Sequence, residues 1–423
     1  MTRPNILWIV TTQWRAQAFG YAGDPNAHTP WLDALAAESM NYIQAVTPHP
    51  MGPMARAALL TGVLSPENGV REYFDSLPAG ARTIAHEMRE RGYTTAFFGK
   101  WGLGHRDPRT PLVGEEAARV IVPPNERGGF ETFEGFEGGF LLNDPWLHGS
   151  RLAVQVRTSG YQSDVICDRV EGWLRELETG GGRQAIGSPG FCVVSLEAPH
   201  PPYHDPASGV TARAEGEIVL PPNVPRDGEV EAVARRELAG YYAHIEATDR
   251  AIGGLLKVAG NEWYVVFTSV HGDMHGAHGL FRKGWPHEES VRVPLLVRGA
   301  RESGGRKDYR TLSLVDLHAM TLAWADGRSA WETTRATMAS ISMPSVVARP
   351  HQCDRTWRGV RTKTRKLVIN ANGSPWLFFD LERDPLEMEN LAGKPVYAAQ
   401  IKELARHAGL GDVIFPPAER DDG

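Results

Sequence analysis

The sequence predicts an α/β fold, with one large domain around a mostly parallel sheet and one smaller domain. Three observations predict it. The chain has 423 residues, enough for a large domain plus a small one. Short, continuous apolar runs at Asn5–Thr11, 94–98, 191–196 and Trp263–Ser269 have the character of strands buried on both faces. Between them lie segments with helical spacing. One is 83–91, with Thr83 as cap and Gly92 as stop. Another is 161–179, with Ile166, Val170, Trp173 and Leu177 on one side. The longest is 230–256.

Composition narrows the class. Hydrophobic residues make up 42% and charged residues 23%, as in ordinary folded proteins. The net charge is −6 with no long basic run, which argues against a nucleic-acid partner. No stretch approaches the roughly 20 apolar residues of a membrane span. The opening MTRPNILWIVTT is basic, then apolar, but too short in its apolar part for a signal segment. It reads as a buried first strand. Cys167, Cys192 and Cys353 are odd in number and far apart, so no disulfide framework is expected, and a reducing cytoplasm suits them.

In parallel sheets ligands bind beyond the carboxyl ends of strands. That places Thr12, Gln13, Trp14 and Arg15 at the active edge, with Lys100 after the 94–98 run. It also places there the proline-stiffened loop EAPHPPY with His200. Segment 49–62, HPMGPMARAALLTG, reads as a loop turning into a helix whose free N–H groups suit an anion, and Arg56 adds a planar fork one turn in. Residues 105–160 are rich in glycine, proline and aromatics and read as a loop-rich insertion. Beyond it, 312–324 reads as a helix. Segments 355–370 and 374–381 read as strands joined by a hairpin at 370–373. The ERDDG tail reads as frayed. His271, His275 and His278, with Asp273, raise the question of zinc. They stand in a glycine-rich loop, where their spacing does not bring them together.

Several of these stretches resemble the type I sulfatases of the alkaline phosphatase superfamily. The similarity runs through RAALLTG, YAGDPNAHTPWLDALAAESMNY, FFGKWGLGH, PHPP, YYAHIEATDRAIGGLL, TSVHGDMHGAHGLFRKG and FFDLERDPLEMENLAG, in the family's order. It implies a large mixed, mostly parallel sheet sandwiched by helices over residues 1–325. A small C-terminal α+β subdomain would fill 326–423. It also implies positions for the chemistry. The formylglycine nucleophile, made from Cys or Ser, would stand at Gly52. The calcium-holding carboxylates would stand at Thr12 and Val270, beside Gln13. The His of GKWHLG would stand at Gly102. By the same resemblance Arg56, Lys100, His200, His271 and Lys283 surround the anion or its metal.

This chain therefore lacks the family's nucleophile and anionic metal ligands but keeps its cations. No cofactor or metal is expected, and the pocket should be positive, with protonated histidines. Three readings follow. In the first, a metal-independent enzyme acts on a small sulfate or phosphate ester, such as a biosynthetic intermediate. The anion departs as leaving group in a cyclisation or elimination. Arg56, Lys100, Lys283 and His200 hold the anion, and His200 or His271 moves a proton. In the second, the protein is a non-catalytic binding or scaffold subunit, alone, with a partner subunit or as a homodimer. In the third, a histidine activates water for ester hydrolysis. Glu197 and Asp273 are the nearest counter-charges by strand position.

Overall fold

The computed structural model describes residues 3–179, 187–300, 302, 304–330, 333 and 337–415. Among them, ten strands form one mixed sheet. They are β1 (Asn5–Thr11), β2 (Met40–Tyr42), β3 (Thr94–Lys100), β4 (Thr132–Phe136), β5 (Trp146–Gly149), β6 (Val156–Arg157), β7 (Gly190–Ser195), β8 (Trp263–Ser269), β9 (Leu295–Arg298) and β10 (Arg306–Asp308). Their spatial order is β10-β2-β9-β8-β1-β7-β3-β4-β5-β6. The central run β8-β1-β7-β3-β4 is parallel throughout. Alternate residues of β1 feed opposite cores: Ile6, Trp8 and Val10 one face, Leu7 and Ile9 the other. A strand buried on both faces has no solvent-facing side to make polar, which is why these apolar runs are continuous.

Helices cover both faces. The Gln162–Thr179 helix buries Ile166, Val170 and Trp173, and packs beside the long Glu229–Ala259 helix. The Ile84–Glu90 helix starts where expected, because the Thr83 hydroxyl accepts from the Ala85 N–H at 3.2 Å. The helix expected at 312–324 begins later, at Asp316–Ala325, because the Asp316 carboxylate instead ties back to the Ser313 N–H at 2.8 Å. Among the described residues, no helix is long and apolar enough to cross a membrane. All three cysteines are free and buried.

Segment 105–160 is not only loop: it supplies β4, β5 and β6 to the main sheet. Glu134 obscures this in sequence, since a charge in a fully buried strand argues against one. In the fold it is neutralised by Arg151 at 2.6 Å and Arg169 at 3.6 Å.

The C-terminal part is an antiparallel sheet of β11 (Met338–Met343), β12 (Trp357–Thr362), β13 (Arg365–Asn370) and β14 (Pro375–Asp380). β11 was not anticipated. The 355–370 segment is two strands rather than one, because the Thr362 hydroxyl accepts from the N–H groups of Thr364 and Arg365 and closes a turn. The hairpin at 370–373 joins β13 to β14. One face of this sheet takes the Ala398–His407 helix through Ile401 and Ala405, and the other joins the main core. The tail expected to fray lies outside the described residues.

A buried charge cluster binds this sheet to the large one. Lys366 Nζ lies 2.8 Å from Glu288 Oε1 and 2.6 Å from Glu387 Oε1, and Arg361 donates to Glu288 Oε2 at 3.0 Å. Replacing Lys366 by alanine leaves Glu288 with Arg361, and leaves buried Glu387 with no cation within 4 Å among the described residues. Chemical denaturation is expected to show a loss of about 3–5 kcal/mol for this variant.

Candidate anion-binding active site

Register sets the site. Val10 pairs with Ser195, Thr11 with Ser269, and Gly99 with Ser195. The carboxyl ends of β1, β3, β7 and β8 therefore lie level. Thr12 and Gln13 leave β1, Lys100 ends β3, Glu197 and His200 follow β7, and Val270 and His271 follow β8. Arg56 comes in from the Gly52–Thr61 helix, whose small Ala55, Ala57 and Ala58 let it sink almost wholly into the core. Gly62, in the left-handed region at φ 69°, ends that helix. Arg56, Lys100, His200, His271 and Lys283 all line one cavity of about 240 Å³, with Tyr73, Leu112, Val120 and Phe140 forming its apolar part.

The three cations are held differently. Lys100 Nζ is paired with Glu197 Oε1 at 2.6 Å and lies 4.5 Å over the Phe140 ring. Arg56 donates to three neutral acceptors: Ser195 Oγ at 2.5 Å, Thr12 Oγ1 at 2.8 Å and the Lys100 carbonyl at 3.2 Å. Lys283 donates to Gln13 Oε1 and lies 2.9 Å from His200 Nε2. Among the described residues, neither Arg56 nor Lys283 forms an ion pair within 4 Å. Burial, then the Lys100 charge, presses the Lys283 ammonium down to about 7. Burial lowers Arg56 to about 10, and lowers Lys100 despite Glu197.

The protonated histidines expected of this pocket are disfavoured here. Burial and then the Lys283 charge hold both His200 and His271 well below the ordinary imidazole range. Their nitrogens are used differently. His200 Nδ1 donates to the Pro201 carbonyl at 2.7 Å, Nε2 accepts from Lys283, and the ring stacks on Phe140 at 4.5 Å. His271 Nδ1 donates to the Gly272 carbonyl at 2.9 Å, which leaves Nε2 with no partner among the described residues. Its lone pair is a base inside the cavity wall.

Both expected counter-charges are present. Glu197 meets Lys100. Asp273 accepts from Tyr203 at 2.7 Å, from the His275 N–H at 3.1 Å and from Gln13 Nε2. Burial pushes its carboxyl up, but His275 and Arg282 outweigh this and hold it at about 2. Gln13 thus bridges the cation Lys283 and the anion Asp273. It does so from a left-handed backbone, φ 67°, that a non-glycine residue adopts at a cost.

The calcium implied by the resemblance does not fit. Calcium takes about 6–8 oxygen ligands, with carboxylates prominent. Here Thr12 donates to the Leu196 carbonyl and accepts from Arg56. Val270 offers only a buried alkyl group. The Gln13 oxygen already faces an ammonium. No group of three or more metal-ligating side chains converges among the described residues. His271, His275 and His278 diverge. The His275 ring packs on Tyr241 at 4.3 Å, and His278 stacks on His287 at 4.6 Å. Gly52 carries no nucleophile, and a Cβ built there meets nothing within 4 Å. Neither packing nor backbone requires glycine at that position. At Gly102, φ 64°, a Cβ would lie 3.1 Å from Arg56 Cδ, so Arg56 occupies space that a side chain would need.

Sequence reasoning missed Ser195, Tyr203, Phe140, Glu137 and Arg106. Phe140 and Glu137 belong to GGFETFEGFEGGF, where the short run between glycine pairs was the available sign of a strand and its active end.

Comparison with known proteins agrees with the fold. The Sulfatase family model matches residues 4–327. An ulvan-active sulfatase of Formosa agariphila is 32% identical, covering 97% of this chain and 82% of that protein. The structure of YidJ from Bacteroides fragilis superposes with a TM-score of 0.81 at 22% identity, over 96% of each chain. A phosphonate monoester hydrolase of Agrobacterium radiobacter superposes at 0.69 with 20% identity, over 96% and 95%.

Proposed function

Since the chain belongs to the sulfatase family, we propose that it acts on a small sulfate or phosphate ester, without calcium or formylglycine, and releases the anion as a leaving group. The observation that carries this reading is the combination, in one cavity, of two unpaired cations with a histidine nitrogen free to take a proton. The empty position at Gly52 supports it from the other side, since covalent catalysis needs an activated nucleophile.

Arg56, Lys100 and Lys283 hold the non-bridging oxygens of the ester. The bond that breaks is between carbon and the bridging oxygen. Its electron pair stays with that oxygen, and sulfate or phosphate departs with the charge that the cations stabilise. His271 Nε2 takes one proton. In an elimination the proton comes from the neighbouring carbon, and a double bond forms. In a cyclisation it comes from an internal nucleophile as that atom bonds to the carbon being vacated. His200 serves as a positioning residue, since its Nε2 aims Lys283 and its Nδ1 is occupied.

The test is turnover in ¹⁸O-water, across sulfate and phosphate monoesters that carry an internal nucleophile or an acidic neighbouring C–H. The expected result is released anion without solvent oxygen, together with a ring-closed or unsaturated product. One solvent oxygen in the sulfate would mean cleavage at sulfur, and would turn the reading toward hydrolysis with His271 activating water. The non-catalytic reading is favoured by a different observation: Glu197, Gln13 and His200 already satisfy Lys100 and Lys283. Anion binding without turnover of any ester would support it.

A further inference from the structure

We propose that Glu137 and Arg106 form a hydroxyl-binding subsite beside the anion-binding cations, so that the ester taken by this cavity bears a free hydroxyl close to its anionic group. The inference rests on the reading of the cavity as an anionic-ester site.

Glu137 lies one residue beyond β4, at the same sheet edge as Lys100, and is 3% exposed. Its Oε2 accepts from the Gly104 N–H at 2.9 Å. A Cβ at position 104 would stand 2.9 Å from that oxygen, so glycine allows the approach. The other oxygen, Oε1, is buried and has no hydrogen-bond partner among the described residues. Arg106 Nε is likewise buried and without a hydrogen-bond partner among the described residues; it faces Glu137 Oε1 as an ion pair at 3.8 Å, too long for a hydrogen bond. Arg106 is nonetheless fixed from two sides: it donates to the Asp75 carbonyl at 3.1 Å and lies 5.0 Å over the Tyr73 ring. Both residues line the cavity that holds Arg56 and Lys100.

A buried acceptor and a buried donor that attract each other as an ion pair but form no hydrogen bond leave hydrogen-bonding capacity unused, which is costly unless something completes it. A hydroxyl completes both, because it donates and accepts at once. A second anionic group would meet the carboxylate and be repelled. Burial pushes the Glu137 carboxyl upward while Arg106 opposes it, and in either protonation state an oxygen remains to bond a hydroxyl.

Calorimetry with three probes tests this: inorganic sulfate, n-propyl sulfate and 2,3-dihydroxypropyl sulfate. The wild-type protein should bind the dihydroxypropyl ester at least about tenfold more tightly than the propyl ester, as a hydrogen bond to a charged group implies. Glu137→Met should bring that ratio close to one, with inorganic sulfate bound no more weakly. Glu137→Gln should keep most of the ratio. If Glu137→Met does not fold, Arg106→Lys, which keeps the charge but removes Nε, should also lose the preference. Equal affinity for the two esters in the wild-type protein would overturn the subsite alone, as would a preference that survives both Glu137→Met and Arg106→Lys. Failure of all three probes, inorganic sulfate included, would overturn the anion-site reading and the subsite with it.

Discussion

Replacing His271 by alanine is expected to lower kcat by about 10²–10⁴-fold, the usual contribution of a positioned general base. Sulfate affinity should change little, because burial disfavours charge on this imidazole and the anion is held by Arg56, Lys100 and Lys283. The argument turns on which nitrogen is free. Three histidines line the cavity: His105 is exposed, His200 has both nitrogens engaged, and buried His271 keeps an Nε2 with no hydrogen-bond partner among the described residues. His200→Ala should therefore act differently: it removes a partner of Lys283, so it should weaken binding more than chemistry. Steady-state kinetics together with sulfate titration separate the two. The pH profile adds a signature. His271 titrates well below neutral, so the wild-type rate should already be on its plateau near pH 6. It should then fall above about 7 as Lys283 gives up its proton. Full turnover in His271→Ala would place the base elsewhere.

The second large effect concerns Lys283. Inorganic sulfate should raise the melting temperature of the wild-type protein, because a ligand that binds only the folded state stabilises it. Lys283→Met should abolish most of that shift, with affinity reduced roughly 10–100-fold for one lost charged hydrogen bond. The pH dependence has a definite sign. The folded-state pKa of Lys283 is about 7, far below its ordinary 10.5. Between these values the unfolded chain binds the extra proton, so this group makes the ligand-free protein more stable as pH rises through that window. Below about 7 the buried ammonium is a cost, which a bound anion relieves. Sulfate stabilisation should therefore be largest near pH 6, with affinity falling about tenfold per pH unit above 7. Equal shifts at pH 6 and pH 8.5, or an undiminished shift in Lys283→Met, would show that the anion binds elsewhere.

Some of this could be read before any fold was known, and the reasons are physical. β1, β7 and β8 are buried on both faces, so each carries an unbroken apolar run of four or five residues that is visible locally. The Thr83 cap is equally local. β4 was hidden because its Glu134 is made acceptable by Arg151 and Arg169, residues separated from it in sequence and joined to it only by folding. The turn that divides β12 from β13 depends on the Thr362 hydroxyl, which apolar patterning does not register.

The site divides the same way. The sequence alone determined the sulfatase resemblance, the strand-end positions of Thr12, Gln13, Lys100, His200, Val270 and His271, and the absence of a nucleophile at Gly52. These are matters of residue type and order along the chain. Only the tertiary structure decided that Lys283 reaches Gln13 across 270 positions, that His200 is occupied while His271 Nε2 has no partner among the described residues, and that burial disfavours charge on both imidazoles. Hydrogen-bond partnership and desolvation depend on what lies within a few ångströms in space. For these groups, those neighbours come from strands and loops far apart in sequence.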